Sequence, residues 1–317
     1  MKQITLLFIL CFTVSIGFGQ FGKGSPEIIK SWKNRTLIVI KYPNSDIYNE
    51  AVKTVVNERW YNKNVEYLDY ANIKEIKKRK DIVVLNIKNW MDFVNLPVIC
   101  LTTKMNGHFE YNFTYNNYGS AYMNIQSAHS INWKEWYGRF KNDKSKKVKN
   151  SSISWGLEKI RQSSLERTKL VVEILFNTID KFNDGEYEYK NAKKDNIKYN
   201  HENFKSIINT KTLLIPKNDL PRTKKNKKLL KLDHIQSIYN GKVKIVTEDE
   251  LKESIKNKDN TVVYLHVKEE VTQPAFSIID ISTRKIIFSG IERTKPGDAS
   301  PVKIFERMLL SISNSIH

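Results

Sequence analysis

Short apolar runs alternate with amphipathic stretches along most of this chain, and the order of the two kinds of segment repeats. Leu37-Ile38-Val39-Ile40 has the form of a buried strand, ended by Pro43-Asn44-Ser45-Asp46. Ser45 or Asp46 can cap a following helix whose apolar positions Ile47, Ala51, Val55 and Trp60 fall at near-helical spacing. Val65–Leu68 predicts a second strand, and Asp69 a helix N-cap ahead of Ile73 and Ile76. Ile82–Ile87 predicts a third strand, followed by a β-rich stretch from Val98 to about Ile125 with Asn106-Gly107 as its hairpin turn. A helix from about Leu165 to Phe182 closes this half, with Leu165, Val172, Leu175, Phe176, Ile179 and Phe182 on one face.

The second half repeats the pattern. At a constant offset of 178, eight of the 21 positions in 61–81 are identical to those in 239–259: Tyr61/Tyr239, Asn62/Asn240, Val65/Val243, Lys74/Lys252, Glu75/Glu253, Lys78/Lys256, Lys80/Lys258 and Asp81/Asp259. Chance would give about two or three in a chain this rich in Lys and Asn. Thr212–Pro216 answers Thr36–Ile40, and Val262–Val267 answers Ile82–Ile87 after a two-residue insertion near Asn260. Thr247-Glu248-Asp249-Glu250 is a capping box at the position of Asp69. Phe276–Gly290 predicts a hairpin around a Ser-Thr-Arg-Lys turn, and Ser300-Pro301 opens a last helix with Val302, Phe305, Leu309, Ile312 and Ile316 on one face.

The expected fold is α/β with mixed sheets, in two tandem duplicated domains of order β-α-β-α-β-β-β-α. Residues 20–183 form the first, 184–208 a polar linker without a periodic element, and 209–317 the second. Residues 116–164 have no counterpart in the second copy and form an insertion.

The hairpin Ile279-Asp280-Ile281 … Ile286-Ile287-Phe288-Ser289-Gly290 resembles one found in secreted envelope-assembly proteins of the curli-secretion-channel and penicillin-binding-protein-activator types. Those proteins have small α/β domains with a similar element order. The resemblance covers about 100 residues, departs by lacking a lipidated cysteine, and carries no catalytic residues.

The first residues change the expected location. Lys2, an apolar run from Ile4 to Ile16, and Gly17 and Gly19 at −3 and −1 before Gln20 form a cleavable export signal over 1–19. No later segment is apolar and long enough to span a bilayer. Cleavage leaves Cys100 alone, so an intramolecular disulfide is excluded; its apolar setting makes it a buried small hydrophobe. The net charge is +19, falling to +18 without Lys2. An exported protein this basic is drawn to anionic surfaces, over a range screened within about 10 Å at physiological salt.

Tests for chemistry are negative. Gly17-x-Gly19-x-x-Gly22 follows no strand and cannot cradle a pyrophosphate, and there is no phosphate-binding loop or nucleophile elbow. The six histidines show no zinc-type pairing. Asp180–Gly185 lacks the ligands of a calcium loop, since Phe182 and Asn191 stand where oxygen donors are needed. His266, like Asn86 at the matching place, is expected on an exposed strand face. No catalytic, cofactor or metal residue is assigned.

Two features point to binding. Aromatic residues crowd the insertion and its approach, with Tyr115, Tyr118, Tyr122, Trp133, Trp136 and Tyr137 as a candidate recognition face for sugar or protein. Basic residues cluster at Lys144, Lys146 and Lys147, and at Arg222, Lys224, Lys225, Lys227 and Lys228, as a candidate docking patch for an anionic envelope polymer. The expected function is a non-enzymatic exported envelope protein that binds or organises an anionic surface or a protein partner. Peripheral membrane association is compatible with it, and nucleic acid is not an expected partner. The alternative is an exported hydrolase acting on cell-wall or carbohydrate material.

Overall fold

The structure is a computed structural model. It describes residues 30–91, 94–105, 108–115, 160, 163–183, 199–200, 203–221, 229–268, 275–291 and 300–316. The fold is α/β, with two mixed sheets.

In the first half, β1 (Thr36–Lys41), α1 (Asp46–Arg59), β2 (Val65–Asp69), a 3-10 turn over Tyr70–Lys78, and the strands β3 (Ile82–Met91), β4 (Val94–Met105) and β5 (His108–Tyr115) follow in order. The helix α2 (Leu165–Asn183) closes it. The second half contains β6 (Tyr199–Asn200), α3 (Phe204–Thr210), β7 (Thr212–Pro216), α4 (Leu232–Gln236), β8 (Val243–Val246), α5 (Glu248–Lys256), β9 (Val262–Lys268), β10 (Ala275–Asp280), β11 (Lys285–Ile291) and α6 (Pro301–Ile316).

The first sheet has the order β2-β1-β3-β4-β5, and the second β8-β7-β9-β10-β11-β6. Directions match as well. β1 lies parallel to β2 and β3 as β7 does to β8 and β9, and the strands that follow are antiparallel in both sheets. Register agrees residue for residue: Leu37 faces Val65 and Val83, and Leu213 faces Val243 and Val263. Leu37 through Ile40 are all buried because β1 is central and covered on both faces.

Local signals explain the helices. In α5 the Thr247 hydroxyl accepts from the Glu250 N–H at 3.2 Å, while the Glu250 carboxylate accepts from the Thr247 N–H at 2.8 Å. Asp69 precedes its helix as expected, but makes no side-chain cap, and the helix is a 3-10 turn burying Ile73 and Ile76.

Two expectations fail. The stretch 184–208 is not without regular structure, since β6 and most of α3 lie in it. Phe204 and Ile208 are buried one turn apart, and β6 pairs with the outer edge of β11. Nor do Asn86 and His266 face water: they are 0% and 2% exposed. They sit in the third strand of each sheet, where both faces are covered, so the polar side chain finds its partner inside. Cys100 donates to Asn86 at 3.3 Å and is itself buried, as its apolar setting predicts; the Tyr264 hydroxyl meets His266 Nδ1 at 2.5 Å.

Alternate residues of the second sheet enter different cores. Leu213, Ile215, Val263, Leu265 and Ile278 pack with Phe305, Leu309 and Ile312 of α6. Leu214, Val262, Tyr264 and Ile279 instead join one continuous core with the first half. Helix α2 makes this possible. It packs against both α1 and α5, and Leu170, Val171, Val172, Ile174, Leu175, Phe176 and Ile179 are all buried, more than one face of a helix can hold. The closing helix of the first half is thus also the floor of the second sheet.

Candidate functional site: the junction of the two halves

In an open α/β sheet, ligands collect at the carboxyl ends of parallel strands whose connections run in opposite directions. Here those places lie beside β1 and β3 and beside β7 and β9, and side chains of the chain itself occupy both.

In the first sheet Tyr42, just past β1, turns its phenol onto β3. Its hydroxyl donates to the Ile87 carbonyl and accepts from the Ile87 N–H, both at 2.9 Å, so a side chain continues the ladder that β1 has left. Asn49 holds the loop by accepting from the Tyr42 N–H at 3.0 Å and donating to its carbonyl at 2.8 Å. Tyr42 also stacks on Tyr70 at 5.4 Å. Burial raises the Tyr42 phenol well above its ordinary pKa, so it remains a neutral structural hydroxyl.

In the second sheet the same edge carries an ion cluster. Asp219 follows β7 and Glu248 opens α5. Arg167, from the first turn of α2, donates to Asp219 at 2.7 Å and to Glu248 at 3.0 Å, and lies 5.3 Å from the centroid of the Tyr264 ring. Glu248 accepts in addition from the Ser164 N–H at 3.0 Å. Burial alone would lower the Arg167 pKa; Asp219, Tyr264 and Glu248 outweigh it and raise it, so the guanidinium stays charged at every accessible pH. Both carboxylates bond the same guanidinium.

A third place is open. A cleft of about 460 Å³ lies between α1, α2, the β10–β11 turn and the end of α5. Ion pairs brace its walls: Arg59 with Asp180 at 2.5 Å, Lys169 with Glu166 at 3.4 Å, and Arg284 with Glu173. Asn177 joins the halves, accepting from Arg59 at 2.9 Å and donating to the Arg284 carbonyl at 3.0 Å. The turn is fixed by Asp280, which accepts from Lys211 through both oxygens at 2.9 Å and from the Ser282 N–H and hydroxyl at 3.0 and 2.8 Å. Burial raises the Asp280 pKa, but the Lys211 and Ser282 hydrogen bonds prevail and hold it below the ordinary value.

Protein families, curated proteins and solved structures were compared with the chain. None matches it.

Of the binding residues expected from sequence, Tyr115 ends β5, its backbone opposite Ile99. Tyr118, Tyr122, Trp133, Trp136, Tyr137, Lys144, Lys146, Lys147, Arg222, Lys224, Lys225, Lys227 and Lys228 lie outside the described residues, as do the Asn106-Gly107 turn and the export signal. On either side of the run 222–228, the Leu230 N–H donates to the Pro221 carbonyl at 3.2 Å. Pro221 follows the carboxyl end of β7. Among the described residues no group of His, Cys, Asp or Glu is assembled that could hold a metal ion, and no helix is long and apolar enough to cross a membrane.

Sequence reasoning missed Arg167, Asp219 and Glu248, and every residue of the cleft. Arg167 contacts partners 52 and 81 positions away, and a single Arg in the first turn of a helix carries no local sign of burial.

Proposed function

We propose that this chain is an exported, non-catalytic envelope protein that docks on an anionic surface or a protein partner. Its two halves are read as products of a duplication, which the shared strand order and register support. The observation that carries the non-catalytic reading is the occupancy of both strand-end crevices, by Tyr42 in one half and by Arg167 with Asp219 and Glu248 in the other.

The hydrolase alternative draws on the same acidic pair, two carboxylates held close in a half-closed setting. Arg167 between them works against it. A glycosidase needs both carboxylates open to the substrate, and here both are engaged by one guanidinium.

Docking itself is assigned to the basic run 222–228 and to the aromatic insertion. The net charge of +19 supplies long-range attraction. The test is binding to vesicles containing about one-third anionic lipid. Exchanging Arg222, Lys224, Lys225, Lys227 and Lys228 for glutamine should weaken binding at least tenfold and flatten its salt dependence. Unchanged binding by that variant would remove the basic run from the account.

A further inference from the structure

We propose that the exposed edge of the 3-10 turn at Tyr70–Lys78, with the two residues that follow it, is a face that meets an anionic lipid bilayer. The proposal rests on the docking reading above and adds a contact that lies within the described residues and uses none of the run 222–228.

The turn sorts its residues by threes. Ile73 and Ile76 eclipse one another, as residues three apart do in a 3-10 helix, and both enter the core. Lys74, Lys77, Lys78 and Lys80 are exposed, and none of them forms an ion pair among the described residues. An α-helix would bury position 77. In α5, where Leu251 and Ile255 are buried four apart, Ile255 stands at the place of Lys77. Of the neighbouring carboxylates, Glu66 is paired with Arg79 at 2.7 Å, Asp69 with Lys41 at 3.0 Å and Asp81 with Arg35 at 3.5 Å. Glu75 is the one acid within the turn.

The second half provides a comparison. Residues 70–81 hold five cations and two carboxylates, while the matching residues 248–259 hold three and five. Both segments lie between the second and third strands of their half. A lysine-rich composition would raise the charge of both, so the concentration in one is local.

A buried lysine fixes this backbone. Lys104 donates through Nζ to the carbonyls of Ile76 and Lys77, each at 2.8 Å, and to that of Arg79. The last carbonyls of a helix run short of N–H partners along the chain, and here an ammonium supplies donors. Lys104 lies opposite Ile82; the matching place, one residue past Asp280 opposite Val263, is the buried Ile281. A strip held in shape before contact loses less entropy on binding.

The chemistry selects a broad anionic surface. The unpaired cations are lysines, point charges without the planar fork that grips a single phosphate. The one aromatic ring of the turn, Tyr70, is stacked on Tyr42 at 5.4 Å, which leaves no platform for a sugar or a base. Because Ile73 and Ile76 face inward, the contact is with headgroups.

The experiment compares two variants of the chain from Gln20 to His317 in co-sedimentation with vesicles containing about one-third anionic lipid. One variant exchanges Lys74, Lys77, Lys78 and Lys80 for glutamine. The other exchanges Lys242, Lys252, Lys256 and Lys258, four exposed lysines of the second half, and removes the same charge. The first should bind at least about thirtyfold more weakly than the parent chain, and the second less than about threefold. All eight positions are exposed, so both variants should melt with the parent. Equal losses in the two variants overturn the proposal and leave docking by overall charge standing. No vesicle binding by the parent chain overturns the proposal together with lipid docking, and retention by a soluble anionic polysaccharide in its place would keep only the anionic-surface reading.

Discussion

Replacing Arg167 by methionine removes a cation bonded to two nearly buried carboxylates, Asp219 and Glu248. The Arg167, Asp219 and Glu248 side chains are only 11%, 16% and 19% exposed, so solvent cannot take over the missing charge. Deleting one partner of a buried pair costs about 3–5 kcal/mol, and the residual exposure places this case near the low end, about 3 kcal/mol. Loss of the contact with the Tyr264 ring adds about 0.5–1 kcal/mol. The sum, about 3–4 kcal/mol, corresponds to a fall in Tm of about 5–6 °C for a chain of this size. Equilibrium urea unfolding and thermal melts at pH 7 measure both. The same reasoning requires strong non-additivity. Adding Asp219→Asn and Glu248→Gln to Arg167→Met removes the unpaired charges and should restore at least about half of the lost stability, because neutral replacement of a whole buried ion cluster is well tolerated. If Arg167→Met lowers stability by less than about 1 kcal/mol, or if the three changes add, the cluster is not the electrostatic joint described here.

Other consequences are local. Among the described residues the buried Tyr48 hydroxyl has no hydrogen-bond partner, so Tyr48→Phe should raise stability by about 1 kcal/mol; a loss of that size in urea unfolding would show a partner there. Gly290 lies under the Phe276 ring, where a Cβ would come within 2.8 Å of Cζ. Gly290→Ala should therefore cost about 1–3 kcal/mol, and an unchanged urea midpoint would contradict that packing. Asp280 has its pKa held low in the fold, so its contribution is present above the ordinary aspartate pKa near 4 and fades as pH falls through the lower folded value. Melts from pH 5 to pH 2 should show Asp280→Asn losing less stability on acidification than the parent chain, and parallel losses would refute the assignment.

The elements legible in the sequence are those whose signals are local or repeated. Thr247 and Glu250 announce α5 because both halves of the cap lie within four residues. The offset between Tyr61–Asp81 and Tyr239–Asp259 located matching strands before any sheet was drawn, and the sheets do share order and register. What a pattern cannot show is whether the second face of a strand is covered. Asn86 and His266 look like solvent-facing polar residues until packing closes over them. The same blindness hid the second buried face of α2: the helix expected from about Leu165 to Phe182 is there, but its residues 170–176 carry apolar side chains around most of the helix because two sheets need them. Helix α3 was illegible for another reason: seven residues allow only the single pair Phe204 and Ile208, too few for a period. The cleft was beyond reach in principle, since its lining runs from Thr54 to Arg284 and exists only once α2 joins the halves.

Docking of the exported chain on an envelope component is the central claim, and co-sedimentation tests it most directly. The chain from Gln20 to His317 would be mixed with separated outer membrane, peptidoglycan and soluble polysaccharide, each at low and at high salt. The account predicts retention by one fraction, strong at low salt and reduced but not abolished at high salt, because charge supplies the attraction and the aromatic insertion supplies contact that salt does not screen. Retention by no fraction at low salt would contradict it.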